Sequence, residues 1–281
     1  MIISRFAPSP TGRLHLGHAY SAVLGHQRAR ASGGKFRLRI EDLDETRARP
    51  EFVEAIHQDL RWLGLDWDEP VIVQSRRGAA YAEAIEQLRA LQLVYPCFCT
   101  RSDISAALEA PHGSARAGYP GTCRDLPDDP KRRSALPHSW RLDVKKALER
   151  TGLPTWSEEG VEFAAQAADL DDVILARKDA PAAYHLACVV DDAAGGITLV
   201  VRGEDLRPST PVQRILQMLL ELPDPAYLHH PLVLHEDGRR LAKRDLAPTL
   251  AAMREGGVDG RNLARDLADN CLPAGFRLSR A

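Results

Sequence analysis

Apolar residues follow two rhythms along this chain. Residues 2–7 form a short apolar run that stops at Pro8-Ser9-Pro10-Thr11-Gly12. Leu16, Ala19 and Val23 then recur at helical spacing within 14–30. Gly33-Gly34 ends that segment, and Lys35-Phe36-Arg37-Leu38-Arg39-Ile40 alternates polar and apolar as a strand does. Residues 50–63, with Pro50 at their start, and 79–91 carry further helical patterns. Strand, helix, strand, helix in this order predicts an α/β fold built on a parallel sheet.

From residue 97 to 139 both rhythms fade, and Pro, Gly and charged residues dominate. This stretch reads as an inserted subdomain with too few apolar residues for a core of its own. Strand-like runs return at 197–201 and 231–234, with a helix predicted over 210–220 between them. The second run leads into a polar loop, 235–244, and 248–281 reads as a helical tail that frays. The organisation expected is therefore 1–96 as the first part of the α/β fold and 97–139 as the insertion. Residues 140–250 hold the remainder of the insertion and the second part, and 251–281 the tail.

Composition leaves this picture standing. A chain of 281 residues, 44% hydrophobic and 27% charged, can bury a normal core in one large domain. The N-terminal residues have neither the basic start nor the apolar centre of a signal peptide, and no run nears the roughly 18 apolar residues of a membrane span. A cytoplasmic protein with no membrane contact, acting as a monomer, is expected. The net charge of -2 argues against a protein that coats nucleic acid indiscriminately. Two local clusters are nevertheless basic: Arg124, Lys131, Arg132, Arg133, Arg141, Lys145 and Lys146; and Arg239, Arg240, Lys243 and Arg244. Cys97, Cys99 and Cys123 fall close together, which without a secretion signal favours a metal over a disulfide. Cys188 and Cys271 read as core or incidental thiols.

Three segments carry chemistry. His15 and His18, three residues apart at a helix start, share a face; the helix's positive end favours a phosphate, and Gly17 leaves room for a flat base or ribose. Arg240-Leu241-Ala242-Lys243-Arg244 is a basic loop straight after a strand, and Glu41-Asp42-Leu43-Asp44 a charged turn after another. Taken singly, each reads first as solvated surface.

Together they resemble a known family. His15-Leu16-Gly17-His18 resembles the HIGH signature of class I aminoacyl-tRNA synthetases, and 240–244 their KMSKS loop. Arg5-Phe6-Ala7-Pro8-Ser9-Pro10-Thr11-Gly12, Arg39-Ile40-Glu41-Asp42-Leu43-Asp44, Tyr184-His185-Leu186-Ala187 and Val201-Arg202-Gly203-Glu204-Asp205-Leu206 resemble the glutamyl branch, over roughly residues 1–250. Two departures stand out: Ala242 replaces the usual Ser of the loop, and Ala19-Tyr20 follows His18. The resemblance implies a Rossmann-like parallel sheet, with His15, His18 and Lys243 as the catalytic donors and His15, Gly17, His18 and Lys243 around ATP and its magnesium. It places Arg5, Tyr184 and Arg202 at the glutamate side-chain carboxylate, Glu41 near the α-ammonium, and Ala7 and Ser9 along the wall. It also implies one structural zinc on Cys97, Cys99, Tyr119 and Cys123, with His112 the competing fourth ligand on general chemistry.

The chain ends at Ala281, where a full-length glutamyl-tRNA synthetase continues into an anticodon-binding half. Short chains of this kind resemble the glutamyl-queuosine tRNA(Asp) synthetases. That family activates L-glutamate with ATP without needing tRNA and transfers it to queuosine in the anticodon loop of tRNA(Asp). A truncated glutamyl-tRNA synthetase charging a tRNA 3′ end is the alternative, and an inactive RNA-binding paralogue a third reading.

Overall fold

The computed structural model describes residues 1–109, 118–241 and 248–279. Its first half runs β1 (Ile3–Phe6), α1 (Leu16–Ala31), β2 (Lys35–Ile40), α2 (Pro50–Trp62), β3 (Asp68–Val73), α3 (Gly78–Ala90), β4 (Val94–Cys97), α4 (Arg101–Glu109), α5 (Pro130–Ala135) and β5 (Ser139–Leu142). The second half runs α6 (Val144–Thr151), β6 (Thr155–Glu158), β7 (Val161–Ala164), β8 (Ile174–Ala176), α7 (Tyr184–Ala194), β9 (Leu199–Gly203), α8 (Thr210–Leu219), β10 (Ala226–His230), β11 (Val233–His235), α9 (Leu250–Glu255), α10 (Gly260–Ala268) and β12 (Phe276–Leu278). Among the described residues, no helix is long and apolar enough to cross a membrane.

β1, β2 and β3 pair in parallel, as do β9 and β10. Thr198 stitches the two blocks together: its N–H donates to the Ile3 carbonyl at 2.8 Å, and its Oγ1 accepts the Ile3 N–H at 2.9 Å. β1 therefore lies beside β9, and the parallel strands run in the order β3-β2-β1-β9-β10. The order reverses between β1 and β9, and in such sheets the carboxyl ends of the strands at the reversal open onto a ligand crevice.

Two buried apolar clusters hold this frame. One packs Leu16, Ala19, Tyr20 and Val23 of α1 against Phe36, Leu38 and Ile40 of β2 and Leu263 and Leu267 of α10. The other joins Tyr81, Ile85 and Leu88 of α3 to Leu186 and Val189 of α7 and Ile215 and Leu216 of α8. The turn from α1 into β2 depends on Gly34, where a Cβ would lie 1.8 Å from the Ile2 carbonyl oxygen.

Three expectations from the sequence need correction. The second parallel strand of the late half is residues 226–230, and 233–235 instead pairs antiparallel with β12. Ala226-Tyr227-Leu228-His229-His230 carries two polar rings, and His229 is buried through bonds to Arg202 and Glu158, which are remote in sequence. The tail does not fray after its helices: Leu232 and Ser279 bond each other through backbone and hydroxyl, at 2.7 and 2.9 Å, which holds β12 in place. The insertion, finally, has helices and a small core of Tyr95, Cys97, Tyr119 and Cys123, with Phe98, Cys99 and Ile104 against it. Asp129 caps α5 by accepting the Lys131 N–H, with Pro130 at the first helical position.

Candidate active site

A cavity of about 670 Å³ opens at the carboxyl ends of β1 and β9. The loop after β1 supplies Ala7, Ser9, His15, Gly17 and His18 to its wall, and the strands themselves supply Arg5 and Arg202. Glu41, Tyr184 and Cys188 close one side; Arg240 and Leu241, the start of the basic loop, close another. Lys243 lies outside the described residues, as do Ala242 and Arg244.

The two histidines are locked to each other. His15 is the N-cap of α1: its Nδ1 accepts the Gly17 N–H at 3.2 Å, while its own N–H donates to His18 Nδ1 at 3.2 Å. This is a capping box made from imidazoles. Because Nδ1 accepts in each ring, the neutral tautomer carries its proton on Nε2, so both rings are hydrogen-bond donors at that atom. The Gly17 amide is consequently engaged by the His15 ring. A Cβ at Gly17 would meet His15 Cε1 at 3.2 Å, so the ring would have to give by a few tenths of an ångström.

On the other side lies a buried charge network. Asp192 Oδ1 receives Arg5 Nε at 3.0 Å and also Arg39 Nη1. Arg39 continues to Glu41 Oε1 at 3.0 Å and to Cys188 Sγ at 3.6 Å. Burial alone would raise the Asp192 carboxyl, but Arg39 and Arg5 outweigh it and hold the group below the ordinary carboxylate range. Burial, reinforced by Glu41, pushes the Cys188 thiol well up, so it stays a thiol. Cys188 is buried as a core thiol and also lines the cavity. Tyr184 is still 36% exposed, yet desolvation by the surrounding chain pushes its phenol above the ordinary value.

Arg202 is held differently. It is buried, and its donors reach only neutral groups: Nε to His229 at 3.1 Å, Nη1 to Gln213 at 2.7 Å and Nη2 to Thr210 at 2.7 Å. No carboxylate forms an ion pair with it among the described residues. A buried guanidinium without a counter-ion is costly unless an anion arrives.

Away from the cavity, the sulfurs of Cys97, Cys99 and Cys123 all lie within 4.8 Å of one another, a group that could hold a metal ion. The Tyr119 hydroxyl sits 3.3 Å from Cys97 Sγ and 3.7 Å from Cys99 Sγ. Zinc with Zn–S bonds of about 2.3 Å spaces its sulfurs about 3.8 Å apart, so the donor set fits a tetrahedral ion. His112 lies outside the described residues.

Residues 1–266 match the family model described as tRNA synthetases class I (E and Q), catalytic domain. The chain belongs to this family. Among curated relatives, the glutamyl-Q tRNA(Asp) synthetase of Rhodobacter capsulatus is 46% identical over 277 residues, covering 94% of this chain and 99% of the relative. That of Nocardia farcinica is 48% identical, over 95% and 83% respectively. Among solved structures, the glutamate tRNA ligase of Elizabethkingia meningosepticum, crystallised in complex with its amino acid, superposes with a TM-score of 0.81 at 28% identity. The match covers 95% of this chain and 60% of the ligase. The chain is thus a glutamyl-tRNA synthetase-like ligase.

Within this synthetase fold the structure adds residues that the sequence reading missed. Cys188 and Asp192 follow the expected Tyr184 at i+4 and i+8 on one face of α7, a spacing visible in the sequence. Arg39 precedes Glu41 by two in a strand pattern, and so shares its face. His229 had no comparable signal. The first basic cluster is dispersed: Arg141 is buried, its guanidinium 3.7 Å from the Tyr119 ring centre, and Arg124 pairs with Asp172 at 2.7 Å. Buried Arg141 does not face a docking RNA, whereas Arg124 keeps about a third of its side chain exposed, at 32%.

Proposed function

We propose that this chain activates L-glutamate with ATP and transfers the glutamyl group to queuosine in the anticodon loop of tRNA(Asp). The observation that carries the glutamate half is Arg202, a buried cation facing the cavity with no ion-paired carboxylate among the described residues. Arg202 with Arg5 and Tyr184 receives the side-chain carboxylate, because guanidinium groups bind carboxylates bidentately. An uncharged amide in that place would leave the cation poorly compensated, which favours glutamate over glutamine. Glu41 attracts the α-ammonium, and Ala7 and Ser9 line the bound amino acid. The acceptor half rests on the relatives named glutamyl-Q tRNA(Asp) synthetase.

The reaction needs no protein nucleophile. The α-carboxylate of glutamate attacks the α-phosphorus of ATP, and pyrophosphate leaves. A queuosine hydroxyl then attacks the activated carbonyl, and AMP leaves. Negative charge builds on phosphoryl oxygens in the first step, so positioned donors supply most of the catalysis. His15 and His18 present Nε2 at the cavity wall, next to Gly17, and Lys243 supplies a further cation. Magnesium accompanies ATP and offsets phosphate charge. One zinc on Cys97, Cys99, Tyr119 and Cys123 holds the insertion together.

The test is to incubate the protein with ATP, magnesium, labelled glutamate and total tRNA, and then to locate the label by nuclease digestion. Label on the queuosine nucleotide of tRNA(Asp), surviving removal of the 3′ adenosine and absent when the base is unmodified guanine, is the expected result. Label lost with 3′ oxidation would identify a glutamyl-tRNA synthetase that charges the 3′ end. Glutamate-dependent pyrophosphate exchange should proceed without tRNA, and Lys243→Ala should slow it about a hundredfold or more.

A further inference from the structure

Arg202 is aimed by a chain of side chains drawn from three neighbouring strands. In the sheet, His229 of β10 lies opposite Arg202 of β9, and Tyr227 opposite Glu158 of β6. Arg202 Nε donates to His229 Nε2 at 3.1 Å, so that nitrogen is an acceptor and the ring's proton resides on Nδ1. Nδ1 lies 2.8 Å from Glu158 Oε1, which also accepts Trp156 Nε1–H at 2.7 Å, while Oε2 faces Arg207 at 3.0 Å. The His229 side chain is 0% exposed and that of Glu158 6%.

Burial, and then the field of Arg202, push the His229 pKa down to about 4 in spite of Glu158. The ring is therefore neutral near pH 7. A protonated ring would lose its acceptor and face Arg202 as a second cation. With Gln213 and Thr210 on the terminal nitrogens, each of those nitrogens keeps one further proton. None of the three clamping residues lines the cavity.

We propose that His229 and Glu158 are positioning residues for substrate recognition: Glu158 fixes the tautomer of His229, and His229 fixes the direction in which Arg202 presents its remaining protons. This rests on the reading of Arg202 as the contact for the glutamate side-chain carboxylate. Two isosteres of the ring separate its two links. Gln at 229 places its amide where Nε2 was and keeps an acceptor for Arg202. Asn places its amide where Nδ1 was, keeping the bond to Glu158 and losing the one to Arg202.

The assay is glutamate-dependent pyrophosphate exchange with the full chain. His229→Asn is expected to raise the glutamate KM about tenfold, the loss of one hydrogen bond to a charged group, with kcat and the ATP KM within about twofold. His229→Gln should recover most of that loss. Glu158→Gln alone should raise the glutamate KM several-fold and add nothing once residue 229 is Gln, since the link is already cut. Equal losses in His229→Asn and His229→Gln, or a matching rise in the ATP KM, would mean a merely structural role and overturn the proposal. Unchanged glutamate KM in His229→Asn and Glu158→Gln, with a rise in Arg202→Lys, would also overturn it while leaving the reading of Arg202 intact. An unchanged KM in Arg202→Lys would remove that reading itself.

Discussion

Asp192→Asn tests the network behind Arg5. The substitution keeps the size of the side chain and one acceptor oxygen but deletes a charge. In the native cluster two buried arginines, Arg5 and Arg39, face two carboxylates, Asp192 and Glu41. With Asn at 192, Glu41 alone remains, and one guanidinium charge stays buried without a partner. Removing one member of a buried pair costs about 3–5 kcal/mol, and the retained acceptor places this variant near the lower bound. At about 2–4 °C per kcal/mol for a chain of this size class, melting should fall by about 6–12 °C. Thermal unfolding followed by circular dichroism at pH 7 measures it. The pH dependence supplies a second check. The native Asp192 carboxyl lies below its unfolded value of about 3.9, so its contribution is fully present above about pH 4 and is lost as pH falls toward the native value. The stability gap between wild type and variant should therefore narrow under acid. A melting temperature within about 1 °C of wild type at pH 7 would refute this account of the network.

Three further outcomes follow from the same structure. Cys99→Ser should abolish stoichiometric metal in protein purified without chelator, and Tyr119→Phe should weaken metal retention where His112→Ala does not, both read by elemental analysis; the reverse would make His112 the fourth ligand. Gly34→Ala should prevent stable folding, because its Cβ would overlap the Ile2 carbonyl, whereas Gly33→Ala, at φ +66° in open space, should cost about 1–2 kcal/mol in denaturant melts. Glutamate transfer should fall steeply between low and moderate salt if exposed cations such as Arg240 and Lys131 contact tRNA, and a flat salt response would exclude a phosphate-dominated interface.

Much of the first half of the fold was legible from local signals. β1, α1, β2, α2 and α3 follow from hydrophobic period, from Pro50 at a helix start and from Gly33-Gly34 at a helix stop, because each of these acts within one or two turns of chain. The ordered motifs around His15, Glu41, Tyr184 and Arg202 were also visible, and the structure gathers them around one cavity. What local pattern could not carry was the partner of each buried polar group. Arg39 and His229 read as surface residues in isolation; each becomes a core residue only because Asp192 or Glu158 reaches it from another strand or helix. The same reason explains β10, where His229 disguises a central strand, and β12 is a strand only because β11 offers it an edge. Apolar spacing is written along the chain, but the compensation of a buried charge is settled between segments far apart in it, and so by the tertiary structure alone.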